Sequence, residues 1–162
     1  MSAMLFDFGG AFEFAQRPRP IPGDLRVVWR ISALLVGISK CRGQRASYYK
    51  IHVINDLFAN PKSVDKLRRI LNREASALEW RTRIEPALNR ATDYLVGEKF
   101  AYWTEASSRA TIVLTADGVA AAKVINDTAD TLEMEKKIAT EFGTKLTEAF
   151  VRSLYFNRYE IK

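Results

Sequence analysis

The stretch that decides the fold is IEPALNRATDYLVGEKFAYWTEASSRATIVLTADGVAAAKVIND, residues Ile84 to Asp127. Pro86 suits a first helical turn, where its missing N–H would have no partner anyway. Leu88, Ala91 and Leu95 then recur on one helical face, and Gly97 marks the end. Lys99 to Thr104 is a β-prone run, and Glu105-Ala106-Ser107-Ser108 is a polar turn. The return run, Arg109 to Leu114, is rich in β-branched residues. Thr115 can cap a following helix on which Gly118, Ala121 and Ile125 share a side.

Helix, hairpin and helix in this order, joined by short loops, predict a mainly α chain with a small β-hairpin: a winged helix-turn-helix with flanking helices. Three segments are expected. Residues 1–23 form an aromatic hairpin and a Pro-rich connector, 24–127 the helical plus winged-helix domain, and 128–162 C-terminal helices and a tail.

Upstream, Phe6, Phe8, Phe12 and Phe14 alternate around Gly9-Gly10, as in a small hairpin. A lone hairpin is marginal in water, so it needs a surface, either this chain's core or another chain. Arg17-Pro18-Arg19-Pro20-Ile21-Pro22 then favours an extended path. A long helix capped by Asp24 is expected to bury Val28, Ile31, Leu35 and Ile38 and to leave Arg26 and Arg30 in water. Ser47 caps a second helix, and Asn60-Pro61 opens a third with Val64, Leu67 and Leu71 inside. Residues 74–83 fit either a short strand or a turn. Leu132, Ile138 and Phe142 form a stripe, Gly143-Thr144 breaks it, and Leu146, Phe150 and Leu154 continue it.

The chain has 162 residues and a net charge of +6. That charge is unevenly placed. Residues 17–83 carry 15 Lys/Arg against 5 Asp/Glu, whereas 84–162 carry 10 against 12. Phosphate contacts dominate nucleic-acid affinity, so any DNA contact should track the first of these segments. Lys40, Arg42 and Arg45 crowd one turn, and Lys62, Lys66, Arg68, Arg69 and Arg73 decorate the third helix. Together they are the candidate non-specific contact to double-stranded DNA. Phe6, Phe8, Tyr155, Phe156 and Tyr159 are candidate partner-docking residues, being more apolar than free termini usually are.

Catalytic constellations are absent from the sequence. With one His and one Cys it offers no metal-ligand set, and it contains no phosphate-binding glycine loop and no nucleophile elbow. His52 reads as a structural core histidine. Cys41 lies in a basic turn of the kind that can lower a thiol pKa, but it has no partner histidine and reads as a bystander. The expectation is a non-enzyme without cofactor or metal. No apolar run approaches the ~20 residues of a membrane span, and a lone cysteine fits a reducing cytoplasm.

Three runs carry a family resemblance: Arg17-Pro18-Arg19-Pro20-Ile21-Pro22-Gly23-Asp24-Leu25-Arg26, Ser39-Lys40-Cys41-Arg42-Gly43-Gln44-Arg45-Ala46-Ser47, and Ile51-His52-Val53-Ile54-Asn55. With Leu114-Thr115-Ala116-Asp117-Gly118 and Gly143-Thr144-Lys145-Leu146-Thr147-Glu148, the chain resembles the middle components of ABC-three-component systems. These are small winged-helix subunits encoded with an SMC- or Rad50-like ATPase and a third protein, often a nuclease, as in Lamassu-type anti-phage defence. The resemblance implies a non-catalytic bacterial subunit that joins ATPase heads to an effector nuclease, and it transfers no catalytic residue. The competing expectation is a winged-helix transcriptional regulator reading DNA with the 86–97 helix. That helix offers only Asn89, Arg90 and Asp93 outward, a thin set for base edges.

Overall fold

The computed structural model describes residues 23–81 and 84–156. The expected hairpin at 1–16, the connector, Phe6, Phe8 and Tyr159 lie outside these residues. Helix α1 spans Gly23–Ser39, strand β1 Arg45–Ser47, α2 Tyr48–Ala59 and α3 Pro61–Leu71. Then come α4, Pro86–Gly97, and the hairpin strands β2, Ala101–Glu105, and β3, Ala110–Leu114. Helices α5, Ala116–Asp127, α6, Glu133–Phe142, and α7, Glu148–Phe156, complete the described chain, which is mainly helical with a small antiparallel sheet.

The expected two-stranded hairpin is part of a three-stranded sheet in the order β1-β3-β2. Ala46 stands opposite Ile112, and Ile112 stands opposite Trp103. Residues Arg45-Ala46-Ser47 are extended because β3 offers them a hydrogen-bonding edge, not because of their own propensity. Strand β2 begins at Ala101, two residues later than expected, because Lys99 takes a left-handed φ of 61° at the turn out of α4.

Three of the expected caps hold, whereas Asp24 does not precede its helix, because α1 already begins at Gly23. The Ser47 side chain accepts from the Lys50 amide, Asn60 from Lys62 and Thr115 from Gly118. Gly118 has a second reason to be glycine. A β-carbon there would lie 1.9 Å from the Phe100 carbonyl oxygen, so the first turn of α5 rests directly on the chain entering β2. Of the two readings open for 74–83, the turn holds and the strand does not. Residues 77–79 make one 3-10 turn closed by a reciprocal Ser76–Glu79 capping box, which delivers Trp80 into the core.

One hydrophobic core joins Leu34, Leu35 and Ile38 of α1 to Ile51, Ile54 and Leu57 of α2, Leu67 of α3, Leu95 of α4 and Ile112 of β3. Ile138, Phe142, Leu146, Val151 and Leu154 belong to the same core, so the segment after residue 128 packs on the helices before it. The expected face of α1 is corrected in its first half. Val28 is 58% exposed, and the fully buried run begins at Ala33. Arg30, expected in water, is largely covered and bonds Asn55 and, at 2.7 Å, the Glu85 carboxylate. One guanidinium nitrogen thus ties α1 to Asn55 of α2 and to Glu85 at the entry to α4.

Candidate nucleic-acid and partner interface

Lys40, Arg42 and Arg45 are all exposed in the turn between α1 and α2, whose reversal uses Gly43 at φ 69°. On α3, Lys62 and Arg69 are exposed, while the Lys66 ammonium donates to the Glu79 carbonyl at 3.4 Å; Arg73, expected on this helix, is exposed in the turn just past its end, at a left-handed φ of 63°. Arg68 is committed within the molecule. Its guanidinium makes two 2.7 Å bonds to the Glu141 carboxylate and a third, at 3.1 Å, to Asp65. The hydrogen bond to Glu141 raises the Arg68 pKa, and the Arg68 partner holds the Glu141 carboxyl below its usual range. Arg68 is therefore already paired with two carboxylates before any phosphate arrives.

The end of α6 draws the two basic groups toward each other. Glu141 holds Arg68, and two residues on, the backbone at Gly143 lies so close to the Lys40 carbonyl that a β-carbon would come within 2.6 Å of it. Lys145 adds its ammonium 5.9 Å from the Phe142 ring centroid, and Arg68 lies at 5.9 Å from the same ring. No bond among the described residues ties Arg42 or Arg45 to this group. The basic turn sits beside the free edge of β1, and α3 presents its own exposed cations.

Cys41 is corrected in its chemistry. The basic turn does not activate it: burial pushes the thiol up to about 11, with Lys50 opposing and Glu148 reinforcing the shift. Its sulfur donates to the Gly37 carbonyl at 3.4 Å. His52 is 3% exposed and takes the Tyr48 ring edge-to-face at 4.6 Å, as a core histidine does. Among the described residues there is no group of His, Cys, Asp and Glu that could hold a metal. No described helix is long and apolar enough to cross a membrane.

The C-terminal aromatics are anchored by α2. The Tyr155 hydroxyl donates to the Tyr49 carbonyl at 3.3 Å, and its ring centroid lies 4.7 Å from that of Tyr49. Phe156 meets Tyr49 edge-on at 5.3 Å and stays 42% exposed. They continue a row the sequence reading missed: Trp103 lies 6.4 Å from Tyr48, and Tyr48 lies 6.0 Å from Tyr49. The signal was present in Tyr48-Tyr49. Two adjacent aromatics on the first turn of a helix point about 100° apart, so both cannot face a core that begins at Ile51.

Depressions flank Tyr49. One, of about 490 Å³, lies between Tyr48, His52, Trp80 and Leu154. The other, of about 430 Å³, lies between the β2–β3 turn and α7, where Ser107, Ser108, Arg109 and Arg152 meet Tyr49 and Phe156. Beneath the second, Lys50 and Glu148 pair at 2.9 Å, with the lysine side chain almost fully buried.

Comparison with known proteins found no matching family model, no similar curated protein and no similar solved structure.

Proposed function

We propose that the protein is a non-catalytic winged-helix subunit that joins an SMC-like ATPase to an effector nuclease in a bacterial anti-phage defence complex, with a non-specific contact to double-stranded DNA. The observation that carries this reading is the strand order. A short first strand pairing with the last strand of a hairpin, the hairpin preceded by one helix and followed by another, supports a winged-helix reading. The sequence runs at 17–26 and 39–55 supply the resemblance to the middle components of ABC-three-component systems.

The helix before the hairpin supports protein docking over base reading. The exposed residues of α4 include Asn89, Arg90, Asp93 and Tyr94, the last 55% exposed. One cation beside one anion and an aromatic ring suits a protein interface better than a major groove. This weighs against the transcriptional regulator. Lys40, Arg42, Arg45, Arg69 and Arg73 are exposed and suit phosphates without selecting bases.

The test is affinity purification from the native cytoplasm followed by mass spectrometry. The reading predicts co-recovery of a coiled-coil ATPase and a nuclease in fixed proportion. Recovery of the chain alone, at a discrete set of promoter sequences, would establish the regulator instead.

A further inference from the structure

The depression between the β2–β3 turn and α7 combines two chemistries that rarely adjoin by accident. Tyr49 and Phe156 give it aromatic walls, and Phe156 is exposed enough to accept a stacked ring. Arg109 and Arg152 line it as well, and neither forms an ion pair among the described residues. Ser107 and Ser108, both exposed, take left-handed φ values of 52° and 57°, which turn the hairpin tip sharply at the rim of the depression. The acid on its lining, Glu148, is occupied by Lys50 at 2.9 Å, so the two arginines dominate the local charge. A volume of about 430 Å³ is of the size that holds small ligands.

We propose that this depression binds an unpaired nucleotide, with the base against Tyr49 and Phe156 and the phosphate between Arg109 and Arg152, the serine hydroxyls donating to its oxygens. The aromatic row favours this occupant over a phosphorylated or acidic peptide. Tyr48 and Trp103 continue from Tyr49 at centroid spacings of 6.0 and 6.4 Å with their rings inclined by 75° and 43°, so successive unpaired bases can each meet a separate ring. A duplex keeps its bases paired and offers no face to such rings. None of Lys40, Arg42, Arg45 or the α3 cations lines this depression, and the proposal stands whether or not the protein joins an ATPase.

The test is fluorescence anisotropy of the full chain with a labelled oligothymidylate of roughly eight nucleotides, within the range of single-strand site sizes. The expected result is saturable binding that a duplex of the same length competes for poorly. Arg152→Glu, at an exposed position, should weaken binding by about tenfold without lowering the melting temperature, and Tyr49→Ala should weaken it by a similar factor. Arg42→Glu with Arg45→Glu should leave single-strand binding within about threefold while reducing duplex binding, which separates this proposal from the duplex contact above. Displacement by thymidine monophosphate as effective as that by the oligomer identifies a free nucleotide as the occupant, and much weaker displacement identifies a strand. The proposal is overturned if the oligomer does not bind, if Arg152→Glu leaves its binding unchanged, or if a phosphotyrosine peptide binds more tightly than the oligomer.

Discussion

Replacing Glu148 with alanine removes the partner of an almost fully buried ammonium, and the structure sets the size of the loss. The Lys50 side chain is 7% exposed and lies 2.9 Å from a Glu148 oxygen, while Glu148 itself is 32% exposed. Breaking a buried pair from one side typically costs 3–5 kcal/mol, because the remaining charge stays desolvated. Water can enter where Glu148 is exposed and partly solvate the lysine, so the lower end applies, about 3 kcal/mol. Lys50→Met should cost less, about 1–2 kcal/mol, because Glu148 keeps its hydrogen bonds from Ser47 and its contact with water. The double variant should be more stable than the sum of the singles implies, by about 1–2 kcal/mol, since it leaves no orphaned charge. Urea unfolding followed by circular dichroism measures all three, with the midpoint shift at constant slope giving the stability change. A loss below about 1 kcal/mol for Glu148→Ala, or strict additivity in the double variant, would refute the claim that the pair ties α7 to α2.

Other perturbations have equally definite outcomes. The Glu148 carboxyl is held below 4.5 because hydrogen bonds from Lys50 and Ser47 together outweigh the effect of burial, which would raise it, and Arg68 lowers Glu141 likewise. Both pKa values are depressed in the folded state, so their stabilisation is complete above 4.5 and is lost as pH falls through the folded values. Melting temperature against pH should therefore decline below about pH 4.5, and less steeply in Glu148→Gln. Gly118→Ala should destabilise by about 1–3 kcal/mol, read by thermal unfolding, because its methyl must displace the Phe100 carbonyl. Cys41 should resist iodoacetamide in the native protein at pH 8 and react once urea unfolds the chain, as followed by mass spectrometry. Arg42→Glu with Arg45→Glu should weaken duplex binding and flatten its salt dependence by anisotropy, whereas Arg90→Glu should leave both unchanged.

The elements that were legible in the sequence are those with local causes. Pro86 and Gly97 bracket α4, and Ser47, Asn60 and Thr115 cap their helices, because each signal acts within a few residues. The hairpin was legible for the same reason. Strand β1 was not, since Arg45-Ala46-Ser47 becomes extended only where β3 meets it, about 65 residues away in the chain. The face of α1 was misread at Val28 because helical period alone does not say where along a helix its neighbours begin. Most of the basic residues lie on the surface as expected, but Arg30 is largely covered, and the chemistry of several depends on distant partners. Arg68 is bound by Glu141, Arg30 by Glu85, and the Cys41 thiol is raised by burial that its basic sequence neighbours do not reveal. The aromatic row escaped notice because its members come from the first turn of α2, from β2 and from α7, and only the packed fold brings them together.

The central proposal is that this chain works as a subunit. Its most direct test is light scattering after size exclusion of the chain co-expressed with the proposed coiled-coil ATPase and nuclease partners. The account predicts one peak whose mass accounts for all three components, retained after nuclease digestion of any DNA. Elution of this chain apart from both, at its own mass, would contradict it.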